Sequence, residues 1–243
     1  MSTNLSIRSC IICTIMLIFS TGIGKQTRAQ DTTLKLVKKW SEYAAQVKND
    51  PDQRMVELRG LVPGLVYDLR YATKNYFTAR RMYPPGTKYT YLRSAAAQAL
   101  KKVQEDLNAT GLGLKIFDAY RPHSVSVKFW ELIGDERYVA NPAKGSGHNR
   151  GIAVDLTIID LALGEELNMG TGFDNFTDTA HQDFKNLPAE ILKNRELLRT
   201  VMTKYGFKIY PDEWWHYFYP GGDKFDVLDL DFSQLKKKIK LGD

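Results

Sequence analysis

Two short blocks of the sequence contain the residue types of a hydrolytic metal site. The first block runs from Ser146 to Asp155 and includes His148, and the second includes Glu213 and His216. Catalytic zinc is held by three protein ligands and keeps a fourth position for water. A further carboxylate outside the ligand set can take a proton from that water. The blocks therefore predict one zinc ion per chain, with His148, Asp155 and His216 as ligands.

The surroundings of the first block support this interpretation. His148 lies in a glycine-rich turn directly before the apolar run 152–159, which is typical of a strand. A turn followed by a strand can present His148 and Asp155 to the same ion. A buried carboxylate without a partner is costly, and a metal ion is one of the few partners that offset the cost. The pattern therefore favours a ligand role for Asp155.

The second block predicts a strand that needs a local distortion. Residues 214–219 are mostly aromatic, and His216 interrupts them with a side chain suited to zinc. Glu213 follows a turn marked by Pro211. In a regular strand, residues three positions apart face opposite sides of the sheet. The turn must therefore re-aim Glu213 if Glu213 and His216 serve one site.

Five blocks occur in an order that resembles the zinc D-alanyl-D-alanine dipeptidases of the vancomycin-resistance (VanX) type. They are Tyr71–Phe77, Phe117–Pro122, Ser146–Asp155, Met169–Asp174 and Glu213–Tyr217. The Ser146–Asp155 block alone is also similar to D-Ala-D-Ala carboxypeptidases and phage cell-wall peptidases. In contrast, the Met-Gly-Thr sequence at 169–171 and the Glu-Trp-Trp-His sequence at 213–216 resemble the dipeptidase branch of these enzymes.

The resemblance implies a role for each matching residue. The three predicted ligands match the zinc ligands, and Glu213 matches the catalytic base. Arg121 matches the arginine that stabilises the tetrahedral intermediate. Asp174 and Tyr71 match groups that receive the free ammonium of the substrate, and Ser146 matches a group that contacts its terminal carboxylate. The implied partner is a small dipeptide, D-alanyl-D-alanine.

The residues alone leave several alternatives open. By spacing alone, Arg121 is equally consistent with a surface arginine after a strand, and Asp174 is typical of a turn. The function has two alternatives, a D,D-carboxypeptidase that acts on peptidoglycan stem peptides and a non-catalytic, zinc-stabilised module that binds cell-wall peptides. A spare carboxylate at Glu213 favours an enzyme, because a binding module does not need one.

The N-terminal segment predicts export. Arg8 precedes a short apolar run, and small residues follow with cleavage expected after Gly24 or Ala29. Residues 1–29 are therefore interpreted as a signal peptide, and residues 30–243 as a single zinc dipeptidase domain. The apolar run is too short for a stable membrane span. A periplasmic or secreted location is expected.

Cysteine content and charge exclude other classes. The two cysteines, Cys10 and Cys13, lie in the predicted signal peptide, so the mature chain would have no thiol nucleophile and no disulfide. The formal net charge of the whole chain is +6. A lysine cluster at 236–240 is typical of a solvated tail rather than a nucleic-acid surface. No nucleic-acid partner is expected.

Hydrophobic periodicity predicts an α+β fold with a small central antiparallel sheet flanked by helices, and the zinc site at the sheet centre. Helices are expected within 36–47, 96–107, 124–132 and 191–205, and strands at 114–117, 152–159, 207–209 and 214–219.

Overall fold

The computed structural model describes residues 34–136 and 138–239. Its strands, in chain order, are β1 Leu36–Val37, β2 Met55–Glu57, β3 Val66–Tyr67, β4 Tyr91–Arg93, β5 Leu112–Asp118, β6 Ala153–Asp160, β7 Lys208–Tyr210, β8 Glu213–Phe218 and β9 Val227–Leu228. Its α-helices are α1 Trp40–Asn49, α2 Leu58–Leu61, α3 Ser94–Asn108, α4 His123–Ile133, α5 Gly147–Arg150, α6 Ala189–Lys204 and α7 Phe232–Ile239. The α+β class is confirmed.

The signal peptide assigned to residues 1–29 lies outside the described residues. Across 34–136 and 138–239, no helix combines the length and the apolar character needed to cross a membrane. The lysines at 236–238 belong to α7 and are exposed on it, so this part of the cluster is a helix face rather than a tail.

Five strands form the central sheet, in the order β3-β5-β6-β8-β7. The neighbouring strands β5, β6, β8 and β7 pair with one another in the expected antiparallel direction. The edge strand β3, in contrast, pairs with β5 in parallel. The sheet is therefore mixed. The chain passes from β3 to β5 through β4 and α3, and a parallel pair requires a long crossover of this kind. β6, which carries Asp155, is the middle strand.

One helix begins later than the sequence predicted. Leu36 and Val37, expected in a helix, form β1 and pair with Val227 and Leu228 of β9. Val37 is buried in that position, and the helix begins at Trp40. A partner strand from the other end of the chain therefore overrides the local helical periodicity.

Side-chain alternation on β6 separates a packed face from a chemical face. Val154, Leu156 and Ile158 belong to the core that also contains the buried residues of α3 and α6. Successive side chains of a strand point to opposite faces, so Asp155 lies on the face away from this core. The hydrophobic core thereby fixes the direction in which Asp155 points.

We expect Gly151→Ala to destabilise the fold more than Gly164→Ala. Both glycines have φ of +73°, a conformation that side chains disfavour. A Cβ at Gly151 would lie 2.6 Å from Sδ of the buried Met55, whereas a Cβ at Gly164 would meet nothing within 4 Å. The loss in free energy of unfolding should be about 1 kcal/mol for Gly164→Ala and about 2–3 kcal/mol for Gly151→Ala.

Urea denaturation of the two variants measures this difference. Equal losses would show that Met55 moves aside freely and that only the backbone conformation matters at Gly151.

Candidate metal centre and active site

Three ligand groups from separate elements meet at the middle of the sheet. His148 lies in α5, Asp155 in β6 and His216 in β8, and Asp155 is paired with His216 across the two strands. One ligand atom from each residue lies within 4.8 Å of the others. The structure therefore brings together the three residues that the sequence assigned to a metal ion.

The separations between the candidate ligand atoms, which include both carboxylate oxygens of Asp155, are close to those expected around a zinc ion. His216 Nδ1 lies 2.9 Å from Asp155 Oδ1 and 3.3 Å from His148 Nε2. His148 Nε2 lies 3.4 Å from Asp155 Oδ2. Tetrahedral zinc with bonds of about 2.0–2.1 Å places neighbouring ligand atoms roughly 3.3 Å apart. Both the donor types and their spacing therefore suit this metal.

Asp155 is a buried anion in this cluster. Burial by itself would raise the pKa of Asp155, but the adjacent His148 and His216 lower it below its usual value. Burial would lower the pKa of His216, but Asp155 raises it. The electrostatics of the cluster therefore favour a bound cation.

A capped helical turn fixes the orientation of His148. Its Nδ1 lies 2.6 Å from the carbonyl oxygen of Ala119, and donation to that oxygen leaves Nε2 for a metal ion. Ser146 Oγ accepts a hydrogen bond from the Asn149 amide, and Asn149 Oδ1 accepts one from the Ser146 amide. Asn149 also donates to the carbonyl of Arg121. Ser146 is therefore a helix cap as well as a residue of the site.

Arg93 holds the segment that follows His148. The Arg93 amide donates to the Gly151 carbonyl at 2.7 Å, and its Nε donates to the Arg150 carbonyl at 2.8 Å. Burial lowers the pKa of Arg93 to about 10, which leaves it charged at neutral pH. These bonds attach the metal-binding turn to β4.

A strand irregularity re-aims Glu213. Ile209 pairs with Tyr217, whereas the next residue, Tyr210, pairs with Glu213. This shift in register provides the distortion that the sequence required, and Glu213 Oε2 lies 3.7 Å from His216 Nδ1. Burial raises the pKa of Glu213 to about 7. A carboxyl group that titrates near neutrality suits proton transfer.

Arg121 is a fixed cation at the pocket. Its Nε and Nη2 lie 3.0 and 2.9 Å from Asp118 Oδ2, and its guanidinium lies over the rings of Tyr71 and Phe129. Burial would lower the pKa of Arg121, but Asp118 raises it well above its usual value. Arg121 is therefore not a free surface arginine.

Asp118 is a site residue to which the sequence analysis assigned no role. It pairs with Asp155 across β5 and β6, and its Oδ2 lies 3.6 Å from His148 Nδ1. The hydroxyl of Tyr83 donates to Asp118 Oδ1 at 2.5 Å. Burial raises the pKa of Asp118, although the charge of Arg121 opposes the shift. One feature of the sequence could have identified Asp118: it is a carboxylate at the end of an apolar strand, shortly before Arg121.

Asp174 is partly buried and has a left-handed backbone conformation. Its φ of +58° costs a non-glycine residue about 1–3 kcal/mol. The Tyr71 hydroxyl donates to Asp174 Oδ1 at 3.1 Å, and the buried Oδ2 has no hydrogen-bond partner. Burial and the charge of Asp155 raise the pKa of Asp174 well above its usual value. A positively charged group bound here would satisfy Oδ2 and stabilise the carboxylate.

A single pocket of about 450 Å³ contains seven of the eight predicted site residues. They are Arg121, Ser146, His148, Asp155, Asp174, Glu213 and His216. Tyr71 contacts this pocket through its hydrogen bond to Asp174. His123 and His181, which were not assigned to the metal, are not in the three-residue cluster.

Comparisons with known proteins identify the family of this chain. The family model for the M15 peptidases, described as D-Ala-D-Ala dipeptidase, matches residues 52–237. The chain is 35% identical to the D-alanyl-D-alanine dipeptidase of Escherichia coli K12 over 179 residues, which are 74% of this chain and 91% of that relative. The D-alanyl-D-alanine dipeptidases of Streptomyces coelicolor and Enterococcus faecalis are 33% and 32% identical, each over 65% of this chain and 87% of the relative. The chain therefore belongs to the peptidase M15 family of D-Ala-D-Ala dipeptidases.

Proposed function

We propose that this chain hydrolyses D-alanyl-D-alanine to two D-alanines with one zinc ion held by His148, Asp155 and His216. The observation that carries the proposal is the half-buried carboxylate of Glu213, 3.7 Å from a candidate ligand atom and in the same pocket. Membership of the dipeptidase family supports the substrate class.

The residues around the ligands divide the chemistry between them. Bound zinc would polarise the scissile carbonyl and lower the pKa of a water molecule. Glu213 accepts a proton from the attacking water and returns it to the leaving amine, a role for which its raised pKa is suitable. Arg121, permanently charged and held by Asp118, stabilises the negative charge that develops on the carbonyl oxygen.

The two ends of the substrate meet different groups. Asp174 Oδ2 is buried without a partner, and a substrate ammonium would provide one. Tyr71 holds Asp174 Oδ1 and so keeps the second oxygen available. Ser146 lies on the pocket wall, where its hydroxyl would contact the terminal carboxylate of the substrate.

The positions of Glu213 and Asp174 also bear on the two alternatives, a non-catalytic binding module and a D,D-carboxypeptidase. A non-catalytic module has no use for the re-aimed carboxylate of Glu213 beside the metal ligands. A stem peptide has no free ammonium at the residue preceding the scissile bond, so Asp174 Oδ2 would remain buried without a partner in a carboxypeptidase complex. Asp174 therefore favours a free dipeptide.

We propose export as a separate point. The proposal rests on Arg8, the apolar run after it and the small residues near Ala29, which are typical of a signal peptide. Removal of this segment on export would place the chain in the periplasm or the medium. In that location the enzyme would act in turnover or scavenging of dipeptide released from the cell wall.

We expect Glu213→Gln to separate catalysis from metal binding. The amide keeps the shape of the side chain but cannot accept the proton of water, so turnover of D-Ala-D-Ala should fall roughly 10²–10⁴-fold while one zinc per chain remains. His148→Ala should lose both zinc and activity. Elemental analysis and steady-state kinetics measure the two properties.

Asp212→Asn is the matched control, because Asp212 is an exposed neighbouring carboxylate. A Glu213→Gln protein that keeps its zinc and a near-normal rate would assign Glu213 to structure and remove the main support for hydrolysis.

We expect N-acetyl-D-Ala-D-Ala to be a poor substrate. Acetylation removes the ammonium and leaves Asp174 buried without a cation, so kcat/KM should fall at least about 100-fold. Asp174→Asn should weaken the discrimination between free and acetylated dipeptide, whereas Asp178→Asn, which changes an exposed side chain of the same loop, should not. Equal turnover of the two substrates by the unmodified enzyme would instead support a carboxypeptidase.

We expect the mature protein from its native host to begin after Gly24 or Ala29. N-terminal sequencing of protein from the periplasmic and cytoplasmic fractions measures this. Intact residues 1–29 on the cytoplasmic protein would contradict export and leave the dipeptidase assignment unaffected.

A further inference from the structure

The substrate-binding Asp174 lies on a long segment that has little regular structure of its own. Segment 161–188 connects β6 to α6, and its only helical turn is the 3₁₀ turn Asp178–Ala180. Segments of this length inside a compact domain are uncommon and usually functional. Asp174 has a positive φ and a buried oxygen without a partner. Both features require that the surrounding structure impose its position.

Arg195 of α6 supplies such a constraint. Its side chain is buried, with the residue only 5% exposed, and it donates three hydrogen bonds to backbone carbonyls of segment 161–188. Nε donates to Met169 at 2.7 Å, Nη2 to Thr179 at 2.8 Å and Nη1 to His181 at 3.1 Å. These acceptors lie on both sides of Asp174 in the sequence. One planar guanidinium therefore holds together the two arms of the loop that presents Asp174.

The backbone beside Met169 is shaped for this contact. Gly170 has φ of +84°, and a Cβ there would lie 3.0–3.1 Å from side-chain atoms of Ile191 and Leu187. The chain therefore lies closely against α6 at this point. Trp214 Nε1 donates to Thr171 Oγ1 at 2.8 Å, which fixes the same arm from β8. These contacts give a physical reason for the Met-Gly-Thr block, to which no chemical role was assigned.

The far end of the segment has an independent attachment. The Gln182 amide donates to the Pro211 carbonyl at 2.8 Å, and its side chain donates to the Glu213 carbonyl at 3.2 Å. Loss of Arg195 would therefore loosen the part of the loop around Asp174, whereas the contacts of Thr171 and Gln182 with β8 and the turn before it would remain. The metal ligands lie on α5, β6 and β8, outside this loop.

We propose that Arg195 is a positioning residue for substrate binding, which acts through segment 161–188 on Asp174. This inference rests on the proposed role of Asp174 in receiving the substrate ammonium. A group that holds the ammonium equally in the ground state and the transition state affects KM more than kcat. Misplacement of such a group by about 1 Å can cost up to roughly 100-fold.

The test compares Arg195→Met with Arg199→Met in the zinc-loaded enzyme. Arg199 lies one turn later on α6 and forms an ion pair with Glu196, so its loss controls for removal of an arginine from this helix. Arg195→Met should raise KM for D-Ala-D-Ala roughly 10–100-fold over the control, with kcat much less affected and zinc content unchanged. Its preference for free over acetylated dipeptide should also decrease.

A second variant and a second measurement keep the proposal testable if Arg195→Met folds poorly. Arg195→Lys keeps the charge but loses the forked geometry, so it should also raise KM. Hydrogen exchange should become faster in peptides that contain the amides of Gly170, Ala180 and His181 in either Arg195 variant, but not in Arg199→Met.

Two outcomes would overturn the proposal. One is a lower melting temperature with unchanged KM and unchanged exchange in the loop, and the other is loss of zinc or of kcat with KM unaffected. If the wild-type enzyme fails to cleave any free dipeptide, the proposed function is wrong, and the exchange comparison still decides whether Arg195 holds the loop.

Discussion

The crowding of carboxyl groups away from solvent is the constraint on which the rest of this site depends. Four carboxyl groups, those of Asp118, Asp155, Asp174 and Glu213, lie in or beside one pocket, and the charge of Arg121 offsets only part of their charge. Burial raises the pKa of Asp118, Asp174 and Glu213, so these groups resist ionisation without further cations. A divalent metal ion and a substrate ammonium are the two cations that the proposed reaction brings. The charge distribution of the site is therefore complementary to a bound metal ion and a bound substrate ammonium.

The sheet provides the rigid part of this arrangement. Strand pairing aligns Asp118 with Asp155, and Asp155 with His216, across three neighbouring strands. Because adjacent strands lie only about 4.8 Å apart, three paired residues can share one centre without a flexible loop. His148 joins them from a capped turn held by Arg93. Metal binding thus depends on backbone register, which the hydrophobic core on the other face of β6 maintains.

The sequence predicted the features that depend on local pattern. The clustering of the three candidate ligands, the strands that carry Asp155 and His216, and the need to re-aim Glu213 followed from residue type and alternation, and the register shift after Ile209 meets that need. The parallel edge strand, the pairing of Leu36 with Val227 and the contacts of Arg195 join residues that are distant in the chain. Periodicity contains no information about such partners. Asp118 was missed although Arg121 lies only three residues later, because its contacts with Tyr83 and His148 join residues that are distant in the chain.

The candidate metal site and the proposed ammonium site are therefore supported by different parts of the molecule. The ligands depend on strand register, whereas Asp174 depends on an irregular loop and pays for its position with an unfavourable backbone angle. Arg195 holds this loop through backbone carbonyls, which are present whatever the side chains at those positions. Its hydrogen bonds therefore do not restrict the loop sequence, whereas the close packing at Gly170 and the bond from Trp214 to Thr171 do. The selectivity for a free dipeptide can then evolve separately from the chemistry that cleaves it.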